Sequence, residues 1–154
     1  MKELEILCKV LEREKEVWKK VKPNFEESLI DTYFNFPKIV LRVRETATGQ
    51  ILTYKENVFK NKKWSYANEY ETGVGKGIYD ILKHLGYKKT VKIIMTKYHC
   101  ENGIEIQKVK GLGLFLEVEG KNRKEIWERI KKTGIKVSEE LGVGKPELAL
   151  RRNR

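Results

Sequence analysis

The stretch Gly111-Leu-Gly-Leu-Phe-Leu-Glu-Val-Glu119 constrains this chain more than any other. Its second half alternates, with Phe115, Glu117 and Glu119 on one side and Leu114, Leu116 and Val118 on the other, the period-two pattern of a strand with two unlike faces. Carboxylates two residues apart on one strand face lie about 7 Å apart by strand rise. Oxygen ligands so placed suit a divalent cation. An ordinary solvent-facing strand edge would carry the same residues, so the other strands must decide.

They repeat the pattern. Over residues 3–10, Leu4, Ile6, Cys8 and Val10 share an apolar side while Glu3, Glu5, Leu7 and Lys9 share the other. Lys38 to Glu45 sets Ile39, Leu41 and Val43 against Lys38, Val40, Arg42 and Arg44. A hairpin turn at Thr48-Gly49 leads into a strand over Ile51–Glu56, on which Thr53 and Lys55 share a side. Trp64–Glu71 brings Glu69 and Glu71 together. Further strands are predicted near Leu29–Phe34, at Lys88–Tyr98 and at Gly103–Val109, the last two joined through Glu101-Asn-Gly103.

Helices are predicted over residues 12–21, over Val74–Leu85 with Gly86 as its cap, and from the capping box Asn122-Arg-Lys-Glu125 to about Lys132 with Gly134 closing it. Ser138–Leu141 reads as a last short helix and Leu148–Arg154 as a frayed tail. Gly73-Val-Gly-Lys-Gly77 fails the phosphate-loop pattern, because Gly rather than Ser or Thr follows the lysine.

Acid pairs thus recur at 3/5, 69/71 and 117/119, and bases at 42/44 and 55, as though one wall gathered each sign. That arrangement suits an α+β chain whose eight antiparallel strands curve into a closed or nearly closed barrel, charged faces inward and helices covering the outside. An ionised lumen is severely destabilising unless water, metal and an anion fill it. A polyphosphate chelated to Mg2+ or Mn2+ meets both needs, since Arg and Lys pair with phosphate oxygens while Glu holds the cation.

Size and charge agree. The 154 residues are expected to form one domain spanning 1–154, and Lys plus Arg outnumber Asp plus Glu by 33 to 22, so an anionic partner is expected. Cys8 and Cys100 have no metal-ligand spacing, and no apolar run approaches the roughly 20 residues of a membrane span, so no membrane partner and a cytoplasmic location are expected.

Glu3-x-Glu5, Asp31-Thr-Tyr-Phe34, Leu41-Arg-Val-Arg44, Leu52-Thr-Tyr-Lys55, Lys110-Gly-Leu-Gly113 and Phe115-Leu-Glu-Val-Glu119 occur in the order found in CYTH proteins, and the chain resembles the class IV adenylyl cyclase branch of that family. The resemblance implies a triphosphate-tunnel barrel binding a nucleoside or organic triphosphate with Mg2+ or Mn2+. It implies Glu3, Glu5, Glu117 and Glu119 as metal ligands and Lys9, Arg42, Arg44, Lys55 and Lys92 as phosphate contacts. The activity implied is conversion of ATP to cyclic AMP and pyrophosphate, or hydrolysis of an organic or inorganic triphosphate; a homodimer is allowed.

Three positions depart from the family pattern. Leu7 stands where the first strand carries lysine, Ile94 where an arginine follows Lys92, and Gln107 where an acid precedes the glycine turn. Placing the family's Lys-x-Arg pair without gaps selects Lys92, whereas a shift would bring in Lys97. A neutral amide neither takes a proton at pH 7 nor adds charge to a metal site, so a binding protein without turnover is the alternative to an enzyme. An RNA-binding barrel, suggested by the net charge of +11 and by Trp64, Tyr66 and Tyr70 among lysines, is disfavoured because the acid pairs would repel a nucleic-acid backbone.

Overall fold

The computed structural model describes residues 3–60 and 64–152, with side chains described for 4–56 and 68–152. The elements run β1 (Glu3–Val10), α1 (Glu14–Val17), β2 (Pro23–Phe34), β3 (Val40–Thr46), β4 (Gly49–Lys60), β5 (Trp64–Val74), α2 (Ile78–His84), β6 (Lys89–Cys100), β7 (Ile104–Val109), β8 (Gly113–Gly120), α3 (Arg123–Thr133), β9 (Val137–Glu140) and α4 (Lys145–Arg152). All the strands pair antiparallel, in the order β5-β4-β3-β2-β6-β7-β8-β1-β9. The outer edge of β1 is shared. Its start pairs with β5 at Glu3↔Ala67, Leu4↔Tyr66 and Glu5↔Ser65, and its end pairs with β9 at Cys8↔Glu140 and Val10↔Val137. Through those first three pairs the eight strands β1–β8 come round to meet.

Alternation decides which way each wall faces. Leu4, Ile6, Cys8 and Val10 turn outward and pack with Ile104, Ile106, Leu116 and Val118 beneath Ile126 and Ile130 of α3 and Val17 of α1. Phe34, Leu41 and Val43 turn outward beneath Leu82 of α2. The apolar faces therefore lie under the helices, and the charged faces are left for the interior. One end of that interior is apolar: Leu29, Tyr33, Val91, Ile93, Met95, Val109 and Phe115 pack with Leu7 and with Leu141, Leu148 and Leu150 of the C-terminal segment.

Local signals hold at several joints. The Asn122 side chain accepts a hydrogen bond from the Glu125 amide at 2.8 Å, and Gly134 ends α3 at φ 73°. Asn102 and Gly103 take φ 60° and 68° to turn β6 into β7.

Other expectations fail for tertiary reasons. Residues 138–141 do not form a helix; they lie in and just after β9, because β1 presents an open edge that outweighs helix propensity. The tail is not frayed through Arg152: residues 145–152 are helical and seat Leu148 and Leu150 in the apolar end. α1 is one turn long, and β2 begins at Pro23, six residues before the expected start. No helix among the described residues is long and apolar enough to cross a membrane.

Candidate functional site

A cavity of about 420 Å³ occupies the polar part of the interior. Among its described lining residues, Arg42 and Arg44 of β3, Lys55 of β4, Lys97 of β6 and Lys145 of α4 meet Glu5 of β1, Glu69 and Glu71 of β5, Glu117 and Glu119 of β8, and Glu147 of α4. Five bases against six acids leave the wall near neutrality. A divalent cation bound together with a phosphate chain would cancel part of the charge that the bare anion would add.

The basic wall is built on Asp31, which is fully buried. Arg44 grips it bidentately, with Nε and Nη2 donating to the two carboxylate oxygens at 2.7 and 2.8 Å. Burial works to raise the Asp31 pKa, but the hydrogen bonds and charge of Arg44 outweigh it and hold the carboxyl below its ordinary value. Arg42 is 7% exposed; its Nη2 donates to the Thr53 hydroxyl at 3.3 Å, while its Nε has no partner. That Nε is sealed from solvent, while the guanidinium as a whole lines the cavity and adds a positive charge to its wall. Lys55 reaches Glu69 at 2.9 Å, and Lys97 reaches Glu105 at 3.3 Å.

The acidic wall joins β1 to β8, where Glu5 pairs with Glu119 and Leu7 with Glu117. Burial, then repulsion from Glu117, raises the Glu5 pKa against the pull of Lys55, and a hydrogen bond links Glu5 to Glu119. Burial would raise Glu117 too, but the charges of Lys145, Lys97 and Lys55 and a hydrogen bond from Gln107 hold it well below the ordinary range. These are hard oxygen donors of the kind Mg2+ or Mn2+ takes. Among the described residues no three metal-ligating side chains form a ready cluster, so a cation would have to draw them together.

Gln107 is fully buried and spends its amide at both ends, accepting from Lys145 Nζ at 2.5 Å and donating to Glu117 at 3.0 Å. A carboxylate there would face Glu117 and Glu105 with like charge. Lys145 in turn lies 4.0 Å from Glu117, and burial pulls its pKa down against the attraction of that carboxylate. An ammonium from near the far end of the chain thus enters an interior in which Leu7 offers none. Leu7 instead joins the apolar end, where its carbonyl accepts from the Leu141 amide at 2.8 Å.

The expected site residues divide. Glu5, Glu117, Glu119, Arg42, Arg44 and Lys55 meet around the cavity. The side chain of Glu3 lies outside those described, as do those of Trp64 and Tyr66; residues 61–63 of the basic run lie outside the described residues. Lys9 does not line the cavity. Its ammonium donates to the Leu112 carbonyl and sits 4.6 Å from the Phe115 ring centroid, bracing the glycine turn; Gly113, at φ 96°, leaves the room it needs. Lys92 is a correction: it is exposed on the outer face of β6, whose inward positions are Val91, Ile93, Met95 and Lys97. The parity of β6 pointed the other way: Val91, Ile93 and Met95 share their face with Lys97, so the rule that apolar residues turn outward would send Lys92 inward.

Sequence reasoning also passed over Lys145, whose mark is its place between Gly144 and Pro146 at a helix start. It treated Asp31 as part of a motif rather than as the anchor of the basic wall.

A curled antiparallel barrel with acids and bases facing each other across its bore defines the class, and the match in sequence agrees. The CYTH domain model covers residues 1–151, and the chain belongs to the CYTH family. Solved structures share the fold. A conserved hypothetical protein from Pyrococcus furiosus is 24% identical with a TM-score of 0.77, covering 94% of this chain and 99% of that one. A Pyrococcus horikoshii OT3 protein is 24% identical with a TM-score of 0.79, covering 95% and 98%. A proposed adenylyl cyclase from Hippeastrum, described as having a dominant triphosphatase activity, is 12% identical with a TM-score of 0.66, covering 99% and 96%. No curated protein matches the chain in sequence.

Proposed function

We propose that the cavity binds the phosphate chain of a nucleoside or organic triphosphate together with Mg2+ or Mn2+. Arg42, Arg44, Lys55, Lys97 and Lys145 take the phosphate oxygens, and Glu5, Glu117 and Glu119, with Glu3, take the cation. The observation that carries this reading is the cavity itself, in which Arg42, Arg44, Lys55, Lys97 and Lys145 face a carboxylate wall. Family membership and the fold shared with the Hippeastrum protein support it.

Bound there, a divalent cation would neutralise phosphate charge and polarise phosphorus–oxygen bonds. The chain's own cations would fix the phosphates and stabilise charge as it develops. Attack by water would release phosphate, and attack by a ribose 3'-hydroxyl would release pyrophosphate and a cyclic nucleotide. Gln107 favours a second reading, binding without turnover, because an amide already engaged by Lys145 and Glu117 has no capacity to accept a proton.

Titrating ATP and tripolyphosphate calorimetrically with and without Mg2+, then assaying phosphate, pyrophosphate and cyclic AMP, tests both. Metal-dependent binding with products supports an enzyme, and the same binding without products supports the second reading. Absence of binding to either compound refutes the proposal.

A further inference from the structure

The charged cavity is not the end of the inward face. β2 pairs with β3 only from Ile30 to Phe34, so its first half projects beyond the β3–β4 hairpin with β6 alone beside it. On this flange Phe25 pairs with His99 and Glu27 with Lys97, on the same face as the buried pair Leu29 and Met95. The Phe25 and His99 rings stack at 4.3 Å with an interplanar angle of 14°, and His99 Nε2 meets the Glu27 carboxylate at 2.7 Å. Phe25 is nevertheless 58% exposed. Lys97, which lines the cavity, is the next inward residue of β6 before His99, roughly 7 Å away by strand rise.

We propose that this shelf is a ring subsite: a planar aromatic group attached to the phosphate chain leaves the cavity past Lys97 and stacks on the open face of Phe25. This rests on the triphosphate reading above and makes the substrate an aromatic organic triphosphate rather than an inorganic one. Two features favour it over a merely structural pair. The stack is held in place by Glu27, so the shelf is ordered before any ligand arrives, which lowers the cost of stacking on it. It lies one inward position beyond Lys97, on a wall continuous with the cavity's cations. Rings of any identity stack on an aromatic face, and removing such a platform typically weakens binding roughly 5- to 100-fold.

The test compares ATP with tripolyphosphate, both with Mg2+, on the full chain and on Phe25→Ala. The expected result is an ATP dissociation constant raised about tenfold with tripolyphosphate unchanged, and full ATP affinity in Phe25→Trp, whose fluorescence ATP quenches and tripolyphosphate does not. A purely structural pair would instead lower the melting temperature of Phe25→Ala and leave both affinities alone, which overturns the proposal. So does equal weakening of the two ligands, or a native chain that binds tripolyphosphate but not ATP; in that last case the cavity reading survives. A native chain that binds neither ends both.

Discussion

Replacing Asp31 by Asn tests the basic wall where it is built. The substitution keeps the volume and one acceptor but removes the charge that Arg44 clasps at 2.7 and 2.8 Å and that lies 4.0 Å from Arg42. Breaking one side of a buried ion pair costs about 3–5 kcal/mol, because the remaining charge stays buried without compensation. The Arg44 side chain retains 16% exposure, so the lower end, about 3 kcal/mol, applies. For a chain of this size that lowers the melting temperature by roughly 6–12 °C.

The pH dependence has a definite sign. The folded pKa of Asp31 lies below its unfolded value, so its stabilisation is fully present above the unfolded pKa of about 4 and is lost as pH falls through the folded value. Urea unfolding of both proteins at pH 7 and down an acid series measures the gap. A gap of less than about 0.5 kcal/mol at pH 7, or one that does not narrow in acid, would refute the assignment of Asp31 as the anchor.

Other consequences follow from the same geometry. Glu5 is held above its ordinary pKa, first by burial and then by Glu117, so its contribution to stability is present below the unfolded pKa and is lost as pH rises through the folded one. Glu5→Gln should therefore raise the metal-free melting temperature at pH 7, with the advantage shrinking toward pH 4, and should abolish the stabilisation that Mg2+ gives the native chain; thermal melts with and without Mg2+ check both. Lys97→Ala should weaken tripolyphosphate binding roughly 10-fold or more, the worth of a charge-assisted hydrogen bond, while Lys92→Ala on the outer face should change it less than about twofold; calorimetry on the pair would contradict the assignment if the order reversed.

What the sequence disclosed depended on how local the determinant was. Glu5, Arg42, Arg44, Lys55, Glu117 and Glu119 could be placed on inward faces because strand alternation is a property of neighbouring residues, and the apolar partners of each strand fixed its orientation. Lys97 was not legible by that rule, because it shares its face of β6 with the apolar Val91, Ile93 and Met95, and placing a family motif without gaps led to Lys92, one face out of register. Lys145 was not legible, since its position depends on α4 seating Leu148 and Leu150 against β2 and β6, a contact between opposite ends of the chain. The helix expected over Ser138–Leu141 failed for a related reason. Its residues pair instead with the part of β1 that β5 does not cover.

The most direct measurement is a crystal structure of the protein grown with tripolyphosphate and Mn2+, with anomalous diffraction locating the metal. The account predicts a manganese peak bounded by Glu5, Glu117 and Glu119, and a phosphate chain whose oxygens reach the Arg42 and Arg44 guanidinium groups and Lys97. Manganese and phosphate found only on the outer surface, with the bore filled by water alone, would contradict it.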